Sequence, residues 1–280
     1  MPEPTLSQIL ILIPSRFHST RLPGKPLLPI AGKTLLKRVW DIALLAGKYA
    51  KEHKIAEVRS MVLTEDTRIL SYCEDESIAV LKTSEHCNSG TERVAEAVAQ
   101  MDDNLDLVIN LQGDNALCPP WFLVELIKAH IQYPSVDILT PYVQLDWPAL
   151  DTLRHAKSST PFSGTTVVFN KQLEALWFSK QILPAIRNEN TLRQASKKSP
   201  VARHIGIYAY KKEVILNFSQ LAASQYEVYE GLEQLTFLEN GLKIHMVEVD
   251  YQGRQGMSGV DSPEDISRAE KIIADDGELI

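Results

Sequence analysis

The chain has 280 residues, is 44% hydrophobic and carries a formal net charge of -7. That length suits one large α/β domain, or one domain with a sizeable excursion, and the apolar content excludes general disorder. The acidic balance argues against a nucleic-acid partner, because phosphate-backbone recognition shows as a basic surplus.

Taken in chain order, short β-rich runs alternate with helical patterns. "ILILIP" (9–14) reads as a strand and "TLLKRVWDIALLAGKYA" (34–50) as an amphipathic helix. "VRSMVLT" is the next strand, "TRILSYCEDE" a helix, "AVLKT" a short strand and "GTERVAEAVAQM" a helix. "LDLVINLQGD" is a fourth strand, and "PPWFLVELIKAHIQ" a helix with proline in its first turn, where the missing N–H does least harm. "VDILTPYV" follows as a strand. From about Trp147 to Arg203 the rhythm breaks. "TTVVFN" and "EALWFS" read as strands there, and the polar "NENTLRQASKKSP", at about 187–200, as a long loop. Regularity returns with the strand "HIGIYAY", the helical "KKEVILNFSQLA" and "YEGLEQLTFLEN", the strand "KIHMVEV" and the helix "SPEDISRAEKIIAD". This order predicts a mainly parallel α/β sheet with helices on both faces, in a single domain over 1–280 with an inserted β-rich excursion at about 147–203.

No apolar run reaches the roughly 18–20 residues that span a bilayer, so no membrane insertion is expected. "QILILIP" is too short for a signal core and has Glu3 ahead of it. Cys73, Cys87 and Cys118 form no CxxC pair. A reduced, cytoplasmic protein with idle thiols is expected.

In an open parallel sheet, ligands bind at the carboxyl ends of the strands. Polar clusters fall at four such ends: Ser15–Lys25, Ser89–Arg93, Gln112–Asn115 and Gly259–Asp261. The first holds Arg16, Arg21 and Lys25 around Gly24, interleaved with Ser19 and Thr20, directly after a strand. Charge-assisted donors on a flexible turn suit phosphate oxygens. Neither GxxxxGK[ST] nor GxGxxG is present. Asp114 and Asp261 come from distant segments and can share a hard cation, although Asp114 could begin a turn and Asp261 could cap the last helix.

"PSRFHSTRLPGKPL" closely resembles the signature PARxxSTRLPGKPL of the cytidylyltransferases that activate 3-deoxy-manno-octulosonate (Kdo), the CMP-Kdo synthetases. The resemblance continues through "SGTERVAEA", "VINLQGD", "RHIGIYAY", "LEQL" and "GVDSPEDI", in order along nearly the whole chain. It implies a Rossmann-like nucleotidyltransferase, cytoplasmic and usually dimeric. Its reaction transfers CMP from CTP to the anomeric hydroxyl of a sugar acid, releases pyrophosphate and activates a lipopolysaccharide precursor. It further implies that Asp114 and Asp261 hold Mg²⁺, and that Arg16 and Lys25 grip the triphosphate. Arg21 assists or pairs with a surface carboxylate. Ser89, Gly90 and Arg93 face the nucleotide, with an ordinary first-turn role as the alternative for Arg93. Gln112 would contact the sugar acid or the nucleotide next to the metal, and Lys180, Arg203, His204, Tyr208 and Glu233 would serve the sugar acid, with structural roles as the rival readings for His204 and Glu233.

The pattern departs from the family at Asn115 and Ala116 after QGD. It departs again at Lys180, where the family has Arg, and at Thr236, where "LEQLR" is expected. Lysine keeps the charge but loses the two-pronged grip on a carboxylate. The nucleotide and metal half is therefore kept and the sugar-acid half altered. Kdo or a close relative is the expected acceptor. An amino-ulosonate, a phosphonate, or a catalytically silent nucleotide-binding protein are the alternatives.

Overall fold

The structure is a computed structural model that describes residues 6–18, 21–101, 104–257 and 259–279. Ser19 and Thr20 of the cationic loop lie outside the described residues.

The strands are β1 (Ser7–Pro14), β2 (Pro29–Ile30), β3 (Lys33–Thr34), β4 (Ala56–Thr64), β5 (Val80–Lys82), β6 (Leu107–Leu111), β7 (Ile138–Asp146), β8 (Thr166–Phe169), β9 (Ala175–Ser179), β10 (Lys198–His204), β11 (Ile207–Tyr210) and β12 (Ile244–Glu248). The helices are α1 (Leu35–Glu52), α2 (Thr67–Asp75), α3 (Gly90–Ala99), α4 (Pro120–Gln132), α5 (Trp147–Ser159), α6 (Glu189–Ala195), α7 (Lys212–Leu216), α8 (Gln225–Glu230), α9 (Gln234–Glu239) and α10 (Pro263–Asp276).

The chain divides into two compact units. The first is Met1–Pro134 with Ile207–Ser219 and Tyr251–Ile280, and the second is Ser135–Gly206 with Gln220–Asp250. The expected excursion at 147–203 falls wholly inside the second unit, which also takes β7 and β12.

In the first unit the strand order is β5-β4-β1-β6-β11. The pairs β4–β5, β1–β4 and β1–β6 are parallel, and β11 runs antiparallel to β6. Ile9 through Ile13 are almost fully buried, as a parallel strand covered on both faces requires. Thr34, Asp66 and Ser89 cap α1, α2 and α3 with side-chain oxygens, and each cap turns the chain out of the preceding loop into its helix.

The second unit is mostly antiparallel. β10 pairs with β7 and β8, β8 pairs with β9, and β12 lies parallel to β7. Its core gathers Leu145, Trp147, Leu150, Leu153 and Val201. Three sequence expectations change here. The run after Asp146 forms the helix α5, capped by Asp146 with proline in its first turn. The polar stretch expected as a loop contains α6, held by Arg154 and Arg193 on Glu189 and by Arg193 on Asp151. "HIGIYAY" is two strands, β10 ending at His204 and β11 beginning at Ile207.

Candidate functional site

β1 ends at Pro14, where the backbone N–H of Ser15 donates to Leu63 O at 2.8 Å, so the next residues leave from the carboxyl end of the sheet. The chain then doubles back. The Gly24 N–H donates to Phe17 O at 3.2 Å, and Gly24 adopts the left-handed region at φ 70° before a short 3-10 turn at Lys25–Leu27. A Cβ at Gly24 would stand 3.1 Å from the Phe17 ring, so glycine suits both the conformation and the contact. On that ring lies the Arg68 guanidinium, 3.4 Å from the centroid, gripped by both Asp66 carboxylate oxygens at 2.9 and 2.6 Å. Hydrogen bonding from Arg68 holds the Asp66 carboxyl below its usual range. No local pattern encodes this Phe17–Arg68–Asp66 brace, because Phe17 of the cationic loop meets Asp66 and Arg68 from a distant part of the chain.

Lys25 is thereby placed between two carboxylates. Its ammonium donates to Asp114 Oδ2 at 3.1 Å and to Asp261 Oδ1 at 3.0 Å. Arg21 reaches Asp261 Oδ2 at 3.2 Å. Burial pushes the Asp261 carboxyl up, but Lys25 and Arg21 outweigh it and hold the group below the usual carboxylate range. Asp261 is not the helix cap. That role falls to Ser262, which forms a capping box with Asp265 and leaves the Asp261 carboxylate to the cations. Asp114 is backed by Gly259, where a Cβ would come within 2.7 Å of the carboxylate. The Val260 N–H donates to Asp114 O at 3.0 Å and ties the two segments together.

A cleft of about 350 Å³ opens over this triad, within the first unit. All four sequence clusters reach it. Arg16, Arg21 and Lys25 line it from the first loop, Ser89, Gly90 and Arg93 from the start of α3, and Gln112 and Asp114 from the end of β6. Asp261 completes the rim. Arg16 is exposed on the cleft, whereas Arg93 is 4% exposed and already committed, to Glu65 at 2.7 Å, to Ser84 O and to Thr83. Cys87 also lines the cleft, but burial and then Glu96 push its thiol up to about 12, which disfavours the thiolate a nucleophile needs.

Among the described residues no three His, Cys, Asp or Glu side chains come together as a metal cage. Two carboxylates with open coordination nevertheless suit Mg²⁺, which retains waters and takes further oxygens from a substrate phosphate. One ammonium already bridges the two carboxylates, at 3.1 and 3.0 Å.

Lys180, Arg203, His204 and Glu233 belong to the second unit. Lys180 is half-buried, donates to Thr165 Oγ1 at 3.3 Å, and has its backbone N–H on Glu230 at 2.7 Å. Glu230 also accepts from Ser179 Oγ at 2.8 Å, and Lys157 donates to the carbonyls of Gly164 and Lys180. Burial, then Lys180 and Arg203, lower the Lys157 ammonium. Lys157 and Lys180 thus both feel the Glu230 carboxylate, and Arg203 is close enough to Lys157 to act on its charge; the sequence reading had missed Lys157 and Glu230. Glu233 lies partly buried just before α9. Thr236, where an arginine was expected, is buried and donates to Glu227. Tyr208, in the first unit, is 8% exposed and stacks with Tyr210. It is absent from the cleft lining.

His204 is buried against Phe178, with its Nε2 2.8 Å from Thr140 Oγ1. Burial, and then the charge of Lys180, push its imidazole down to about 3 from an ordinary 6.5. Below pH 6.5 the unfolded chain takes up a proton here that the folded chain refuses. The stabilisation is therefore complete above that value and is lost as the pH falls towards 3. Urea unfolding from pH 7 to 4 is expected to lose stability at up to about 1.4 kcal/mol per pH unit from this group. A His204→Gln variant should show a shallower dependence, and an equally steep one would refute the assignment.

A cytidylyltransferase family model matches residues 10–244. A 3-deoxy-manno-octulosonate cytidylyltransferase of Maricaulis maris is 38% identical, over 97% of this chain and 99% of its own. An 8-amino-3,8-dideoxy-manno-octulosonate cytidylyltransferase of Shewanella halifaxensis is 35% identical, over 96% of this chain and 99% of its own. A solved CMP:2-keto-3-deoxy-manno-octonic acid synthetase complexed with CTP aligns with a TM-score of 0.80 at 30% identity, covering 96% of this chain and all of that one.

Proposed function

The chain belongs to the cytidylyltransferase family, with 3-deoxy-manno-octulosonate cytidylyltransferases among its relatives, and from that premise we propose that it transfers CMP from CTP to the anomeric hydroxyl of Kdo. The hydroxyl oxygen attacks the α-phosphorus and gives up its proton to solvent, the bond from that phosphorus to the bridging oxygen breaks, and pyrophosphate leaves. Such a reaction needs alignment and neutralised charge more than covalent help from the protein. The observation that carries the reading is Lys25 set between Asp114 and Asp261 at the edge of a cleft lined by Arg16 and Arg21.

In this reading Arg16 and Lys25 bind the triphosphate, with Lys25 nearest the departing pyrophosphate. Ser89 and Gly90, at the N-terminus of α3, offer backbone N–H groups to the nucleotide. Asp114 and Asp261 would hold Mg²⁺, which when bound neutralises the triphosphate and assists the leaving group. The cations of the second unit, Lys157, Lys180 and Arg203, favour an acceptor that carries a carboxylate. Product used for lipopolysaccharide and a cytoplasmic location belong to the same proposal. Three free cysteines, with the Cys73 thiol pushed up to about 11 by burial, suit a reducing compartment. Among the described residues no helix is long and apolar enough to cross a membrane.

A homodimer is also part of the proposal. Leu176 on β9, the edge strand of the second unit, is 59% exposed, and Val228 and Tyr229 on α8 are 78% and 68% exposed. Apolar side chains left in water on one unit suit burial against a second copy. Sedimentation equilibrium giving the mass of one chain would count against it.

The test of function is pyrophosphate release from CTP and Mg²⁺ with Kdo, with 8-amino-3,8-dideoxy-manno-octulosonate, and with no acceptor. Release that depends on Kdo supports the proposal. Release with the amino sugar alone transfers it to that acceptor, and CTP binding without release under all conditions overturns the enzymatic reading.

A further inference from the structure

A polar side chain stands where the core would be expected to be apolar. Asn110 lies within β6 between Ile109 and Leu111, and all three are fully buried. It opposes Leu12 of β1 and Tyr208 of β11. An amide buried in such a strand is costly unless its donors and acceptor are met. Asn110 meets them in a directed way. Its Oδ1 accepts from Gln112 Nε2 at 3.0 Å, and its Nδ2 donates to Thr91 Oγ1 at 3.3 Å.

The two partners give this arrangement its meaning. Strand geometry turns residues 110 and 112 to the same side, so Asn110 lies directly beneath Gln112, which lines the cleft. Thr91 is 1% exposed and follows Ser89 and Gly90, which line the cleft from the start of α3. The Gln112 amide lies against Gly90, with Oε1 3.1 Å from where a Gly90 Cβ would be. One buried amide therefore joins the end of β6 to the beginning of α3.

We infer that Asn110 is a positioning residue: its side-chain amide fixes the rotation of the Gln112 amide, so that Gln112 keeps its carbonyl oxygen at the Gly90 edge of the cleft as an acceptor. The group received there is a hydroxyl or amino donor of a substrate. This rests on the reading that the cleft binds CTP and its acceptor. A leucine at 110 would fill the strand but leave Gln112 free to turn over, presenting an NH₂ group where an acceptor is needed.

The test combines a spectrum with a double-mutant cycle. In protein labelled with ¹⁵N-glutamine, the Gln112 side-chain resonance is identified by its loss in Gln112→Ala. It is expected to be as rigid as the backbone in the wild type and as mobile as exposed glutamines in Asn110→Leu. In pyrophosphate release, Asn110→Leu should lower kcat/KM about tenfold in the wild-type background and less than about twofold in the Gln112→Ala background, since coupled residues are not additive. Thr91→Val keeps its volume while removing the acceptor of the Asn110 Nδ2 bond. It should act in the same direction more weakly, and it replaces Asn110→Leu should that variant not fold. A Gln112 amide equally rigid in the variants, or kinetic losses that multiply, overturns the inference. The resonance is read without turnover, so an inert wild type counts against the reaction while the spectrum still decides the positioning.

Discussion

An Asp114→Ala variant is expected to lose pyrophosphate release by about a thousandfold, the upper end of the scale on which removal of a key electrostatic group is felt. The loss should come without unfolding. The Asp114 side chain is 30% exposed and its ion pair is to Lys25, so truncation opens no cavity in the core. Its position is nevertheless narrow. It leaves the end of the buried strand β6, its carbonyl accepts from Val260, and Gly259 stands behind its carboxylate. The variant keeps those backbone bonds and lacks only the oxygens proposed for Mg²⁺. Asp114→Asn, which keeps the shape without the charge, should recover little. A thermal melt within a few degrees of wild type, beside a thousandfold loss of turnover and weakened Mn²⁺ binding by electron paramagnetic resonance, is the expected set. Retention of a tenth of the activity would remove Asp114 from the proposed chemistry.

That loss can be forecast from the sequence because charge at strand ends is legible there. Arg16, Arg21 and Lys25 follow a strand in an otherwise acidic chain, and Asp114 closes another, so their meeting at one cleft follows from parallel-sheet topology. Asp261 was ambiguous, since both it and Ser262 are good helix caps, and only the capping box showed which one was committed. The second unit was less readable. Asp146, Trp147 and Pro148 carry a sound helix start, yet the broken rhythm after them hid α5. The helix α6 has no apolar stripe. It stands on ion pairs from Arg154 and Arg193 and on the Arg193 guanidinium over the Trp147 ring at 4.6 Å, which no local pattern encodes. Asn110 was passed over for a related reason. Within "VINLQGD" it reads as part of a motif, and its pairing with Thr91 of α3 exists only once the strand and helix are folded.

Replacing Lys25 by methionine is expected to lower kcat/KM by about a hundred- to a thousandfold, the second large loss in the cleft. The substitution keeps much of the side chain's length and removes its charge. At 16% exposure Lys25 is shielded from water far more than Arg21, which is 68% exposed. An ion pair at the surface contributes little, because water and salt screen it, so Arg21→Ala should cost no more than a few-fold through its pair with Asp261. Lys25 differs in geometry as well as burial. Its compact ammonium meets two carboxylates at 3.1 and 3.0 Å, offsetting their mutual repulsion before any substrate arrives. In the proposed reaction, a triphosphate in the cleft would offer the same ammonium phosphate oxygens to move to. Lys25→Arg preserves the charge but replaces a rotatable point charge by a longer planar fork, and it should recover only part of the loss. Arg21→Ala as damaging as Lys25→Met would show that total charge on the loop, rather than one ammonium between two carboxylates, governs the site. Unequal losses, with Lys25 far the larger, would place the decisive cation at the residue that the Phe17–Arg68–Asp66 brace and the Gly24 turn hold in position.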